Sequence, residues 1–359
     1  MADTTNQDES LRARVLAELR GVEDPELHRD IVSLNMVQDL AACAGVVSMR
    51  LVLTTPACPL RDTIEQDVRR VLAELPDVRE VKIDWGADVR ATARANGPQP
   101  VQGVRNIIAI ASNKGGVGKS TVAANLAAAL AGMGAQTGLL DADITGPNIP
   151  TMYGIPAGVL ARRNEGLHAI EKYGVAVASI GFLLPKGTPV VWRGPMIGSG
   201  VRQLLHDLQW GELDYLVVDL PPGTSDASMS MAQEAPIAGV VVVSTPQEVS
   251  IEDATKAVTM FEKLSVPVFG IVENMSYYEC PCCGTRAEIF GHGGARQAAE
   301  ELGVDFLGEI PLEPSIRAGG DEGVPVVVGA PESPQAQAFM ELAQKVAAKI
   351  SVLQRIGVD

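Results

Sequence analysis

The sequence predicts an α/β protein: a mostly parallel sheet covered by helices on both faces, preceded by a small α/β unit. Three observations predict it. From Val104 onward, short apolar runs alternate with helical stretches. Those runs are apolar without a polar alternation, as suits strands buried on both faces. The chain before Ala91 carries a helix and strand pattern of its own, and 359 residues is long for one domain.

Taken in order, LRARVLAELR places Leu11, Val15, Leu16 and Leu19 at helical spacing. VVSMRLVLTT (Val46–Thr55) reads as a strand, TIEQDVRRVLAEL (Thr63–Leu75) as a helix and REVKIDW (Arg79–Trp85) as a strand. ATARANGPQPVQG (Ala91–Gly103) has two prolines and no hydrophobic period. It reads as a linker between a domain at 1–90 and one at 104–359. The strand candidates of the second domain are NIIAIAS (Asn106–Ser112), GLLDAD (Gly138–Asp143), YLVVDL (Tyr215–Leu220), GVVVVST (Gly239–Thr245) and VFGIVEN (Val268–Asn274). The tail offers Ser333 as N-cap and Pro334 as first helical residue. Its stripe of Phe339, Leu342, Val346, Ile350 and Leu353 is expected to close over the sheet.

The net charge of −15 argues against nucleic acid and anionic membrane as partners, since both are polyanions. MADTTNQDES lacks the basic start and apolar core of a secretory signal, and no apolar run approaches the ~20 residues that span a bilayer. Five cysteines in a chain this long do not make a disulfide framework, so a reducing cytoplasm is expected.

SNKGGVGKST (Ser112–Thr121) follows an apolar strand and opens a helix. Gly115, Gly116 and Gly118 let successive backbone N–H groups curl around phosphate oxygens. Lys119 reaches the outer phosphates, and the Ser120 hydroxyl suits Mg²⁺. The nucleotide-binding stretch is therefore Asn113, Lys114, Gly115, Gly116, Val117, Gly118, Lys119, Ser120 and Thr121. Asn113 stands where the ordinary phosphate-loop pattern has glycine, and asparagine tolerates positive φ better than most residues. Asp141, Asp143 and Asp219 close apolar strands, whose ends converge on the loop in a parallel sheet. One such carboxylate can hold a metal-bound water and another can orient the attacking water.

ECPCCG (Glu279–Gly284) holds Cys280 and Cys283 as C-x-x-C, with Cys282 between them. The spacing lets two thiolates face one metal or cluster edge, and it fits iron–sulfur and zinc alike. One pair is half of a four-thiolate site. Cys43 and Cys58 lie far away in sequence, whereas a two-fold dimer supplies a second pair directly.

The form K-G-G-x-G-K-[ST] resembles the deviant Walker A motif of the MinD/ParA/nitrogenase-iron-protein class of P-loop ATPases. The resemblance implies that Lys114 reaches the nucleotide of a partner subunit, that Asp143 orients water, that Asp219 senses magnesium and that Asn274 contacts adenine. DADITGPNIP, VVWRGPMIG, VVDLPPGTSDA, STPQEVSIEDA, ENMSYYECPCCG, FGHGGA and IPLEPSIRAGGDEGVPVV resemble, in order, the motifs of the Mrp/ApbC iron–sulfur cluster carrier ATPases. DPELHRDIVSLNMV (Asp24–Val37) and LTTPACPLRD (Leu53–Asp62) are similar to the small iron–sulfur-assembly domain often fused ahead of them, with Cys58 on that domain's cysteine. The family implies a homodimer that binds ATP, Mg²⁺ and a [4Fe–4S] cluster held by Cys280 and Cys283. Its partners would be an upstream assembly scaffold and recipient apoproteins. A MinD/ParA-type spatial regulator and an ATP-dependent iron–sulfur reductase component share the ATPase half. The knuckle and the acidic charge count against the first, and the close spacing of the cysteines against the second.

Overall fold

The computed structural model describes residues 2–92, 98–143, 146–156, 161–163, 166–182, 194–223, 229, 231–232 and 234–356. Four stretches of interest in the sequence lie partly outside them, at 93–97, 144–145, 190–193 and 224–227. The chain divides into two compact units, Met1–Val89 with Ala347–Asp359, and Arg90–Val346. The division falls inside the last helix, Pro334–Ile356.

In the first unit, strands Val37–Cys43 and Val46–Leu53 pair antiparallel, and Glu80–Ala87 joins parallel to the second. The hairpin turns at Ala44 and Gly45, both with positive φ (50° and 81°), as a two-residue primed turn requires. Helices Ala2–Leu19 and Arg61–Ala73 contribute Leu11, Val15, Leu19, Ile64, Val68 and Leu72 to one apolar core with Val47, Met49 and Leu51. Leu16 is half-buried at its edge.

The second unit is built on an eight-stranded sheet. Its order is Ile170–Lys172, Val175–Ser179, Thr137–Asp141, Leu213–Asp219, Val104–Ala111, Ile237–Ser244, Val268–Asn274 and Phe306–Ile310. Every pairing is parallel except the first. All residues of Leu213–Asp219 and Ile237–Ser244 are buried, which accounts for their apolar runs Tyr215–Val218 and Val240–Val243. Ile107, Ala109 and Ala111 belong to one core cluster, while Ile108 and Ile110, equally buried, lie outside it. That period of two shows helices covering both faces.

The strand Val104–Ala111 runs into the helix Lys119–Gly132, and the next strand, Thr137–Asp141, lies two places away with Leu213–Asp219 between them. Ile237–Ser244 then continues the sheet on the other side of Val104–Ala111. The phosphate loop therefore sits where strand order reverses, the crevice where open α/β sheets hold ligands.

The last helix starts as its sequence predicts: the Ala336 N–H donates to Ser333 Oγ over 3.2 Å. Phe339, Leu342, Val346 and Ile350 are buried, but Leu353 is 45 % exposed, so the apolar stripe ends one turn early.

Candidate functional site

Two glycines of the phosphate loop are required by its backbone. Gly116 and Gly118 have φ of 85° and 82°, and Gly118 caps the helix that begins at Lys119. A Cβ on Gly118 would lie 2.1 Å from the Asn274 carboxamide nitrogen, which itself donates to the Val117 carbonyl over 2.8 Å. Gly115 and Gly116 face open space, with nothing within 4 Å of an added Cβ. Asn113 replaces glycine without strain, since it is not among the residues with positive φ. Its side chain donates to Asp253 Oδ1 over 3.1 Å. Lys114 is exposed, and the Ser112 hydroxyl fixes its carbonyl at 2.9 Å.

Below the loop, Lys119 is 6 % exposed and paired with the fully buried Asp219. Burial raises the Asp219 carboxyl, while Lys119 and the adjacent Ser120 hydroxyl pull it back down. Among the described residues, Asp219 Oδ2 has no hydrogen-bond partner. An orphaned buried carboxylate oxygen beside a serine hydroxyl fits a hard divalent cation or its water shell. Asp141 faces Asp219 in register on the neighbouring strand. Burial, and then the charge of Asp219, hold its carboxyl well above the usual range. Its oxygens accept from the Asp143 N–H (3.1 Å), the Ile149 N–H (3.2 Å) and the Ser179 hydroxyl (3.2 Å). Asp141 thus frames the loop that carries Asp143. Asp143 is 8 % exposed at the same sheet edge, close enough for its charge to raise Asp219.

A cavity of about 310 Å³ continues from Thr121 and is walled by Asn274, Met275, Leu312, Glu313 and Ile316. The wall from Leu312 to Ile316 is part of the site that sequence reasoning missed. It follows the edge strand Phe306–Ile310, which was not read as a strand, so its position at the loop was hidden. Glu273 was missed too. Fully buried, it accepts from the Ser276 hydroxyl (2.7 Å) and from the N–H groups of Gly293 (3.0 Å) and Ala295 (2.8 Å). It thereby anchors FGHGGA at the start of the helix Gly294–Leu302.

The cysteines form a small knuckle. Tyr278–Glu279 pairs antiparallel with Arg286–Ala287. The Cys280 N–H donates to the Thr285 carbonyl over 3.0 Å, and the Gly284 N–H to the Cys280 carbonyl over 2.8 Å. Cys280 is half-buried; Cys282 and Cys283 are exposed. The Cys283 thiol lies 3.2 Å from Thr285 Oγ1, and that bond, with help from Cys280, lowers its pKa. Among the described residues no three Cys, His, Asp or Glu side chains are placed to hold a metal, so the knuckle offers a pair. In the first unit, burial pushes the Cys58 thiol up to about 12, with Glu26 and Asp24 adding to the shift. Cys58 is therefore a neutral thiol there at ordinary pH.

The family described as NUBPL iron-transfer P-loop NTPase matches residues 103–347, and an iron–sulfur cluster assembly protein family matches 12–85. The chain belongs to the NUBPL iron-transfer P-loop NTPase family. It is 48 % identical to the iron-sulfur cluster carrier protein of Synechocystis, over 94 % of its own length and 97 % of the relative's. The Escherichia coli protein of the same name is 41 % identical over 95 % and 93 %. Among solved structures, the NTPase is similar to a nucleotide-binding protein of Archaeoglobus fulgidus in complex with ADP, with 41 % identity and TM-score 0.58 over 67 % of this chain and 93 % of that one. It is also similar to the cell division ATPase MinD of Pyrococcus furiosus, with 25 % identity and TM-score 0.52 over 67 % and 98 %. The family expected from the motif strings is thus the one to which the NTPase belongs.

Proposed function

We propose that the chain is an ATP-hydrolysing carrier that holds a [4Fe–4S] cluster between the subunits of a homodimer. It takes the cluster from an upstream scaffold and hands it to apo iron–sulfur proteins in the cytoplasm. The observation that best supports this is a contrast within one unit. The phosphate site has its lysine, hydroxyl and buried carboxylate in place, while the knuckle offers two thiols where a cluster wants four.

In this reading the N–H groups from Gly115 to Lys119 cradle the phosphates, and Lys119 meets the outer ones. Ser120 and Asp219 would hold Mg²⁺ or its water, and a bound Mg²⁺ would neutralise charge on the outer phosphates. Asp143 orients the attacking water from the neighbouring strand end. Lys114, exposed and free of the loop's own packing, places a cation where a partner subunit's nucleotide can meet it, as an arginine finger does. Asn274 buttresses the loop through Val117 and forms part of the base pocket. Cys280 and Cys283 of each subunit supply the four thiolates. Neither nucleic acid nor membrane is a partner in this reading. The net charge is −15, and no described helix is long and apolar enough to cross a membrane.

Anaerobic reconstitution with iron and sulfide tests it. The wild-type dimer is expected to develop broad visible absorption, and the Cys280→Ala, Cys283→Ala double variant is not. Normal iron and sulfide per dimer in that variant would overturn the bridging cluster.

A further inference from the structure

The nucleotide pocket and the cysteine knuckle are joined by a short, well-connected segment. Asn274 and Met275 line the pocket, and Cys280 follows five residues after Met275. The Ser276 N–H donates to the Ile310 carbonyl over 3.0 Å, and the Leu312 N–H to the Tyr277 carbonyl over 2.7 Å. Leu312 is itself pocket wall. Met275, a non-glycine residue, has a φ of 56°, a conformation held by these flanking bonds. The Tyr277 backbone is therefore tied directly to the wall that a bound nucleotide would touch.

From Tyr277 the connection runs through one side chain. The Arg286 guanidinium lies 3.7 Å from the centroid of the Tyr277 ring and donates to Glu309 Oε2 over 3.1 Å on the edge strand. Arg286 sits on the returning strand of the knuckle, opposite Glu279. Its neighbour Thr285 contacts both cysteines: its carbonyl accepts from the Cys280 N–H, and its hydroxyl lies 3.2 Å from the Cys283 thiol. The knuckle's own pairing is only two residues long on each strand, too little to fix its orientation alone. A guanidinium that stacks on a ring and bonds a carboxylate supplies the missing constraint.

We propose that Arg286 and Tyr277 are positioning residues that couple the two sites, so that nucleotide in the pocket changes the reactivity of the Cys280–Cys283 pair. The proposal rests on the reading above for what each site binds. It does not require a cluster to be present when tested.

The test uses the full-length, reduced apoprotein under anaerobic conditions. Iodoacetamide alkylation is followed cysteine by cysteine by mass spectrometry, at fixed pH, with and without saturating Mg-ADP. In the wild type the rates at Cys280 and Cys283 are expected to change by about fivefold or more, the lower end of ordinary coupling between sites. Arg286→Ala is expected to abolish that response while Mg-ADP affinity stays within about twofold, and Arg286→Lys, which keeps a cation over the ring, to restore part of it. Tyr277→Leu keeps the backbone bond to Leu312 but removes the ring, and should likewise abolish the response. It serves as the second variant if Arg286→Ala disturbs the knuckle. A wild type with no response, or an unchanged response in both Arg286→Ala and Tyr277→Leu, overturns the proposal. Cluster uptake by the wild type, measured separately, distinguishes the failures. Response without uptake sinks the cargo assignment alone, and uptake without response sinks the coupling alone.

Discussion

Asn113 donates its side-chain N–H to Asp253 Oδ1 over 3.1 Å, tying the phosphate loop to the helix Glu248–Lys263 across 140 residues of sequence. Asp253 is held charged by Lys256 first, then by Asn113, with the charge of Lys114 also acting on it. The residue that breaks the usual loop pattern is therefore a tether. Asn113→Gly removes the bond and loosens the loop. The expected result is about a two- to tenfold weaker ATP affinity, the range of one hydrogen bond, with little change in melting temperature. Isothermal titration checks this, and equal or tighter binding by the glycine variant would refute the tether.

Lys119→Ala is expected to do more than abolish ATPase activity. It leaves the fully buried Asp219 without its cation, and breaking a buried pair costs about 3–5 kcal/mol. The double variant Lys119→Met, Asp219→Asn removes both charges and should recover most of that loss while remaining inactive. Thermal unfolding of the three proteins separates stability from chemistry.

The loop glycines should differ in kind. Gly118→Ala puts a Cβ 2.1 Å from the Asn274 amide at a φ of 82°, so the Asn274–Val117 bond breaks and nucleotide binding is lost. Gly115→Ala meets nothing within 4 Å and should fold and melt like the wild type. Any fall in its ATPase rate then reports on phosphate or a partner subunit occupying that open space. A large drop in melting temperature for Gly115→Ala would be the contrary result.

The cysteines should separate by pH. The ordinary thiol value is 9.0, and burial pushes Cys58 up to about 12. The folded chain thus keeps a proton that the unfolded chain sheds between those values. The stability from this group is complete below pH 9 and is lost as pH rises through about 12. Denaturant unfolding at rising pH should show the wild type losing stability relative to Cys58→Ala above pH 9, and a constant difference would count against a buried neutral thiol. At neutral pH, Cys283, with its lowered pKa and exposed sulfur, should alkylate well before Cys58.

Much of this was legible in the sequence because it rests on short-range rules. NIIAIAS, YLVVDL and GVVVVST read as buried strands because their central positions are apolar without alternation. The phosphate loop could be read because its chemistry needs fixed spacing. Val37–Cys43 went unread because VQDLAAC has few β-formers and turns on Ala44–Gly45. Val175–Ser179, VAVAS, is three-fifths alanine and serine, and Phe306–Ile310 is a short edge strand. At the site, the partners of Asn113 and Glu273 are set by which loops the sheet brings to one edge. The Asn113–Asp253 meeting spans 140 residues and the Glu273–Ala295 one 22, and neither leaves a local pattern.

The Lys119–Asp219 pair makes nucleotide entry a trade. Phosphate oxygens that draw the ammonium away would strand a fully buried carboxylate, one oxygen of which has no other hydrogen-bond partner among the described residues. Asp219, with Ser120, would hold a divalent cation that arrives with the phosphates, and that ion would replace the ammonium as the carboxylate's partner. Metal-free ATP is therefore expected to be admitted poorly, and the pair acts as a gatekeeper that admits the magnesium complex.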